Sequence, residues 1–189
     1  MDKKSPVIAL GVTGSIAAHK AIDIASQLVK AGLTVHVILT ADAAKFVTPV
    51  PFRTLSRNRV VVSLFDDEEG WVPSHISIAD SAELLLIAPA TANTIAKLAC
   101  GIADNALTCI ALALNPEAKV LIAPAMNGKM WLHPATQKNV EILKSRGVGF
   151  IGPDEGMLSC GYEGIGRLMP VETIVKRVFE VLNFKNGAL

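Results

Sequence analysis

Short apolar runs alternate with longer amphipathic stretches along most of the chain. Each apolar run is too short for a typical helix, which predicts strands buried on both faces of a parallel sheet. The predicted strands are Val7–Val12, Val35–Leu39, Val60–Leu64, Leu84–Ala88, Lys119–Ala123 and Val148–Ile151. The predicted helices are Ile16–Ala31, Thr48–Arg57, Ser74–Ala82, one beginning at Ile95, Ala103–Leu114, Pro134–Arg146 and Val171–Leu182. This alternation predicts a doubly wound α/β fold, with ligands outside the carboxyl ends of the strands.

One segment departs from this pattern. Gly152–Arg167 holds five glycines in sixteen residues and shows no apolar periodicity, which is typical of a mobile surface loop. We expect residues 152–168 to act as a lid over a ligand.

Composition adds expectations about size and partners. The 189 residues suit a single domain spanning 1–189. Hydrophobic residues make up 51% and aromatic residues 5%, which predicts an aliphatic core and apolar surface buried between subunits. The net charge of +1 and the lack of a Lys/Arg-rich run argue against nucleic acid or an anionic membrane and favour a small-molecule partner.

Compartment and cysteine usage are also informative. No apolar run approaches the roughly 18 residues of a spanning helix, and no secretory signal is recognised, so a cytoplasmic location is expected.

Cys100, Cys109 and Cys160 form neither an even set nor a Cys/His cluster, so we expect free thiols and no metal site. Cys100 and Cys109 lie in apolar helices and are predicted to be core residues.

A glycine turn follows the first predicted strand. The sequence GVTGSIAAHK, at 11–20, places Gly14 and Ser15 before a helix, where free N–H groups favour an anion. Its spacing matches neither the dinucleotide nor the P-loop fingerprint. Asp42 lies two residues beyond Thr40, at the end of the second strand, so a mononucleotide is favoured over a dinucleotide.

Two later strand ends share the letters IAPA. In the first, PATANT at 89–94, we expect Pro89 to end the strand, and Asn93 or Thr94 to cap the helix beginning at Ile95. In the second, PAMNGKMW at 124–131, Asn127 follows the strand. Both strand ends are expected to face one crevice, because parallel strands present their carboxyl ends at the same edge. Asp104 and Asn105 are expected to cap the helix that they begin.

The ordered set GSIAAHK, His75, PATANT, PAMNGKMW and the Cys160 loop resembles the flavin-containing cysteine decarboxylases, over essentially the whole chain. The resemblance implies FMN, a three-layer αβα fold with a six-stranded Rossmann-like sheet, and a trimer or trimer-based dodecamer with its active site between subunits. Within this family the coenzyme A branch is most similar. It implies decarboxylation of phosphopantothenoylcysteine through thioaldehyde and enethiol intermediates.

The resemblance also implies positions for the cofactor. We expect the turns to contact FMN, with donors for its phosphate, whereas Phe46 is expected to pack on its ring and Ala125 to contact the ring edge. The predicted contacts are Gly14, Ser15, Ile16, Thr40, Phe46, Thr91, Asn93, Thr94 and Ala125.

Three residues are predicted to act in catalysis. A neutral imidazole at His75 can position the substrate thiol or take its proton, the alternative being a structural role at a helix start. Asn127 offers donors and an acceptor to the substrate, the alternative being a helix cap. Met130 lies in the same motif and is predicted to contact substrate, the alternative being plain packing. The resemblance to the coenzyme A branch implies that Cys160 is the proton donor, the alternative being an inert loop thiol.

Two other functions fit a similar fold. A flavin prenyltransferase shares the glycine turn but needs basic residues for a second phosphate, and PAMN and the Cys160 loop argue against it. A non-enzymatic FMN-binding regulatory subunit can keep His75 while losing Cys160 or Asn127, and both are present here.

Overall fold

The computed structural model describes residues 5–65, 74–157, 161 and 163–184. The strands are β1 Val7–Val12, β2 Thr34–Leu39, β3 Leu84–Ala90, β4 Lys119–Pro124, β5 Gly149–Phe150, β6 Asp154–Met157 and β7 Glu163–Arg167. The α-helices are α1 Lys20–Lys30, α2 Pro49–Ser56, α3 Ser74–Ser81, α4 Ala92–Cys100, α5 Ala106–Ala113, α6 Gly128–Leu132, α7 Pro134–Ser145 and α8 Val171–Val181. Short 3-10 helices lie at Ile16–His19 and Ala43–Lys45.

The central sheet is parallel and has five strands in the order β2-β1-β3-β4-β5. The α/β prediction is confirmed, but the prediction of six strands is wrong. Val60–Leu64 pairs with the sheet only through an isolated bridge between Val61 and Ile38, because the chain leaves the edge of β2 after a single residue. The strand β3 runs through Pro89 to Ala90 instead of ending at the proline.

Helices cover both faces of this sheet. On one face, Ile24 and Leu28 of α1 pack with Ile174 and Val178 of α8. On the other face, the buried residues of α3, α4, α5 and α7 form a second cluster that includes Ile95. Both clusters are almost entirely aliphatic, as the composition predicts. Burial of each valine, leucine or isoleucine side chain contributes about 1.5–3 kcal/mol, and this core stabilises the sheet that carries the loops at its edge.

The glycine-rich segment differs from its prediction as an unstructured loop. Within the described residues, β6 and β7 pair as an antiparallel hairpin. Gly156 and Gly166 adopt φ angles of +149° and +137°, which favour glycine. A strand is recognised in a sequence by alternating apolar and polar side chains, and glycine has no side chain to contribute. The sequence pattern therefore misses the hairpin. Cys160 lies outside the described residues.

The two described cysteines are free thiols, but the prediction that they lie in the core is wrong. Cys100 is exposed and Cys109 is half-buried. Cys100 is the last residue of α4, and the Cys109 thiol donates to the Ala103 carbonyl at 3.5 Å. The helix α5 is apolar around much of its circumference, so apolar neighbours in sequence do not identify its buried face. No helix among the described residues is long and apolar enough to span a membrane.

Candidate functional site at the carboxyl ends of three strands

The turns after β1 and β3 are joined by a buried threonine. Thr13 Oγ1 donates to the Pro89 carbonyl at 2.8 Å and accepts from Thr91 N–H at 3.0 Å. Thr13 N–H also donates to the Pro89 carbonyl, at 3.2 Å. Only 1% of Thr13 is exposed, so these bonds are shielded from water. One hydroxyl thus fixes two turns that are far apart in sequence, a role that the sequence analysis missed.

Replacing Thr13 by valine, which has nearly the same shape, is expected to lower the free energy of unfolding by about 1–3 kcal/mol, because the Thr91 N–H loses its buried acceptor. The midpoint of urea unfolding measures this loss. Thr13→Ser keeps the hydroxyl and serves as the matched control, with a smaller loss expected. Equal stability of the valine variant and the parent would contradict this role.

The first turn provides backbone donors. The Ala17 N–H donates to Ser15 Oγ at 3.4 Å, which caps the 3-10 helix. In the described part of the chain, the N–H groups of Gly14 and Ile16 have no hydrogen-bond acceptor. A Cβ on Gly14 would lie 2.5 Å from Asp42 Cβ, so glycine is required for the turn to sit this close to the chain after β2. The exposed donors suit an anion.

The second turn begins α4 earlier than predicted. The helix starts at Ala92, and its cap is Thr91, whose Oγ1 accepts from Thr94 N–H at 3.3 Å. The predicted caps are therefore wrong. Asn93 is exposed on the first turn of the helix, whereas Thr94 is buried with its hydroxyl 3.3 Å from that of Thr91. A threonine just after a strand satisfies the first helical donors, and the helix begins at once.

The third turn is fixed from two sides. Ala125 N–H donates to the Ala90 carbonyl at 3.0 Å, and Met126 N–H donates to the Gly166 carbonyl of β7 at 2.9 Å. A Cβ on Gly166 would overlap the Met126 carbonyl oxygen. The hairpin therefore lies directly against the turn that carries Asn127.

Asn127 and Asn105 both cap helices, as the alternative role of the first and the expected role of the second predict. Asn127 Oδ1 accepts from Lys129 N–H at 2.9 Å and caps α6, a short helix that the sequence analysis missed. Asn105 caps α5 through a reciprocal capping box with Thr108, which confirms the expectation for that residue. Asp104 instead forms an ion pair with Lys97, with 2.6 Å between the charged atoms.

A cleft of about 450 Å³ lies between these three turns and the hairpin. Seven predicted site residues line it: Gly14, Ser15, Ile16, Thr91, Ala125, Asn127 and Met130. The sequence analysis missed the other lining residues, Ala17, His19, Lys20, Met126, Met157, Gly166, Arg167 and Leu168. Position alone signals Lys20, which follows the glycine turn, but no sequence pattern identifies Arg167.

Five of the predicted site residues that the structure describes do not line this cleft. Thr40 Oγ1 accepts from Ala43 N–H at 3.2 Å at the end of β2. Phe46 is 50% exposed after the second 3-10 helix. Asn93 and Thr94 lie on the first turn of α4, as described above. His75 is half-buried in the first turn of α3, and its Nδ1 is buried without a hydrogen-bond partner among the described residues.

The cleft is electropositive. Its lining includes Lys20 and Arg167 but no aspartate or glutamate among the described residues. The nearby carboxylate of Asp42 is paired with Lys45 at 2.8 Å, and this hydrogen bond holds the pKa of Asp42 below its usual value. No group of His, Cys, Asp and Glu side chains among the described residues is arranged to hold a metal ion. The arrangement suits an anionic organic ligand.

Two curated proteins are similar to this chain in sequence. The chain is 44% identical over 182 residues to a probable phosphopantothenoylcysteine decarboxylase of Streptococcus mutans, covering 96% of this chain and 100% of that protein. It is 50% identical over 169 residues to the coenzyme A biosynthesis bifunctional protein CoaBC of Bacillus subtilis, covering 89% of this chain. The match covers 41% of CoaBC, so the chain spans about two fifths of that bifunctional relative.

Two solved structures and a family model agree with these relatives. A PPC decarboxylase mutant complexed with pantothenoylaminoethenethiol is 28% identical, with a TM-score of 0.86 over 95% of this chain and 100% of that one. The FMN binding protein AtHal3 is 28% identical, with a TM-score of 0.84 over 96% of this chain and 99% of that one. The family model described as Flavoprotein matches residues 1–183. The chain therefore belongs to the flavoprotein family.

Proposed function

We propose that this chain, as a single domain over residues 1–189, catalyses the FMN-dependent decarboxylation of 4'-phosphopantothenoylcysteine to 4'-phosphopantetheine in coenzyme A biosynthesis. One observation carries the proposal: a single electropositive cleft holds the backbone donors of the Gly14 turn and the side chain of Asn127. The names of the relatives at 44% and 50% identity support the same activity.

The residues at the first two turns fit FMN. The Gly14 and Ile16 N–H groups and the N-terminus of α4 offer donors to a phosphate, and Thr91 supplies a half-buried hydroxyl. The exposed Ile16 side chain, 60% accessible, gives an apolar surface for a ring, and the mostly buried Ala125 also lines the cleft. The predicted contacts of Thr40, Phe46, Asn93 and Thr94 remain part of the proposal, although they lie outside this cleft. Bound FMN supplies the two-electron acceptor and donor that decarboxylation of a cysteine requires.

Asn127 and Met130 are assigned to the substrate. Asn127 lies at the start of α6, with its side chain already held by Lys129 N–H, so little conformational entropy is lost when it binds. Its amide hydrogen-bonds the substrate without adding charge. Met130 is 50% exposed in the cleft wall and contacts the apolar part of the pantothenoyl chain.

His75 and Cys160 are assigned to proton handling. His75 positions the substrate thiol and takes its proton, and Cys160 supplies the proton that accompanies the final reduction. In the proposed homo-oligomer, a trimer or trimer-based dodecamer, His75 reaches the cleft of a neighbouring subunit. The exposed apolar side chains Ile102 and Leu112, 47% and 58% accessible, provide surface for such contacts. We further propose that the enzyme acts in the cytoplasm.

The alternatives receive less support. A flavin prenyltransferase gains some support from the basic residues Lys20 and Arg167 in the cleft, because a second phosphate needs cations. A relative named as a probable phosphopantothenoylcysteine decarboxylase and another named for coenzyme A biosynthesis nevertheless favour the decarboxylase. A regulatory subunit without activity is disfavoured by the presence of both Asn127 and Cys160.

Incubation of the purified FMN-loaded protein with phosphopantothenoylcysteine tests this function. We expect one carbon dioxide and one phosphopantetheine for each substrate consumed, over many turnovers, and a yellow protein before substrate is added. Mass spectrometry of the thiol product and capture of carbon dioxide measure both. Failure to form either product with full FMN occupancy would refute the proposed activity.

A further inference from the structure

Two basic side chains that line the cleft, among the residues that the structure describes, lie on different elements. Lys20 is the first residue of α1 and follows the turn assigned to FMN, whereas Arg167 ends β7, beside the turn that carries Asn127. The hairpin holds Arg167 in this place, because Gly166 pairs with Met126 at 2.9 Å. Arg167 therefore lies on the substrate side of the cleft.

The side chain of Arg167 has a defined path. It crosses Gly156 of β6, where a Cβ would lie 3.6 Å from Arg167 Cδ and 3.2 Å from Nη1. Among the described residues, no carboxylate lies within 4 Å of the guanidinium. The absence of a side chain at Gly156 thus makes room for an arginine that forms no ion pair with a described acid.

The chemistry of the reaction restricts the anion that this arginine can usefully bind. A cation held at the cysteine carboxylate stabilises the ground state more than the transition state, because the negative charge leaves that group as carbon dioxide forms. The other anion of the substrate is its phosphate monoester, which is unchanged in the reaction. A guanidinium matches a phosphate through two parallel hydrogen bonds.

We propose that Arg167 binds the phosphate monoester of the substrate and makes the enzyme prefer phosphorylated to unphosphorylated pantothenoylcysteine. This inference rests on the proposed function. The ligand named in the related PPC decarboxylase structure, pantothenoylaminoethenethiol, has no phosphate, so it does not identify this site. A phosphate monoester is also present in FMN, and the experiment separates the two sources.

Binding to the FMN-loaded protein tests the assignment without requiring turnover. The probes are 4'-phosphopantothenate and pantothenate, measured by calorimetry. Arg167→Gln is expected to weaken binding of the phosphorylated probe roughly 10- to 100-fold, the range for loss of a charge-assisted hydrogen bond. Binding of pantothenate is expected to be unchanged, so the preference for the phosphorylated probe disappears. Arg167→Lys keeps the charge but loses the two parallel hydrogen bonds of the guanidinium. Its affinity for the phosphorylated probe is expected to lie between those of the parent and the Gln variant.

A matched control removes a positive charge elsewhere. Arg177 pairs with Glu180 on α8, with 3.0 Å between the charged atoms, and Arg177→Gln is expected to leave both affinities unchanged. In steady-state kinetics, Arg167→Gln is expected to raise the KM for phosphopantothenoylcysteine, with a smaller change in kcat.

Four results would overturn the proposal. The first is an equal loss of affinity for both probes in Arg167→Gln, the second is no loss of affinity for either probe, and the third is a parent that does not prefer the phosphorylated probe. The fourth is an Arg167→Gln variant that loses affinity for FMN but keeps its affinity for riboflavin and for both probes. The last result would assign the phosphate to the cofactor. A parent that prefers the phosphorylated probe through Arg167 yet releases no carbon dioxide would support this assignment and refute only the proposed decarboxylation.

Discussion

His75→Asn is expected to lower the decarboxylation rate by at least about 100-fold, the usual contribution of a positioned acid or base. The reason is the proposed proton transfer, which an amide cannot perform. Asparagine places a polar atom close to the position of Nδ1, which is buried and unpartnered among the described residues. The fold and the FMN content should therefore be retained. Single-turnover kinetics, flavin absorbance and thermal unfolding measure the three properties, and a rate close to that of the parent would return His75 to a structural role.

His75 does not line the cleft of its own subunit. A complementation experiment tests whether it acts in the cleft of a neighbouring subunit. His75→Asn and Asn127→Ala variants are each expected to be nearly inactive. If the site combines His75 of one subunit with Asn127 of the next, unfolding and refolding an equal mixture restores about a quarter of the parent activity, because the two intact side chains then meet at random. A mixture as inactive as its components would place both side chains in the same subunit.

The fold was largely predictable because it depends on local pattern. Continuous apolar runs identify buried parallel strands, and β1, β2, β3 and β4 lie within a few residues of their predicted bounds. The errors occur where pattern and tertiary contact diverge. The run Val60–Leu64 has strand composition, but only Val61 reaches the sheet. The hairpin of β6 and β7 forms from glycines that carry no hydrophobic pattern.

The site was predictable only in part. Parallel strands end at one edge, so turns with small and polar residues after β1, β3 and β4 are expected to converge, and they do. The junction between the first two turns and the place of Arg167 depend on distant partners. Thr13 contacts a carbonyl that is 76 residues away in sequence, and Arg167 depends on the pairing of Gly166 with Met126. Such contacts have no local signature.

Cys160→Ser is expected to divide the reaction into its two halves. Oxidation and decarboxylation do not use this thiol in the proposed mechanism, so carbon dioxide should still be released, to about one equivalent per site. The reference pKa of a thiol is about 8.5, and a serine hydroxyl is a far weaker acid, so the protonation that accompanies the final reduction should slow greatly. The related structure of a PPC decarboxylase mutant complexed with pantothenoylaminoethenethiol indicates that such an enethiol can remain bound in a decarboxylase of this fold.

The measurement is an anaerobic mixing experiment with phosphopantothenoylcysteine. In the Cys160→Ser variant, the yellow absorbance should bleach once and stay bleached, and mass spectrometry should detect an enethiol with two hydrogens fewer than phosphopantetheine. Cys100→Ser is the matched control, because Cys100 is an exposed thiol at the end of α4, and this variant should recover its colour after each turnover as the parent does. Release of carbon dioxide with accumulation of the enethiol assigns the proton donor to Cys160. Continued turnover of Cys160→Ser to phosphopantetheine would instead show that another group supplies the proton, and the glycine-rich segment would then contribute to binding alone.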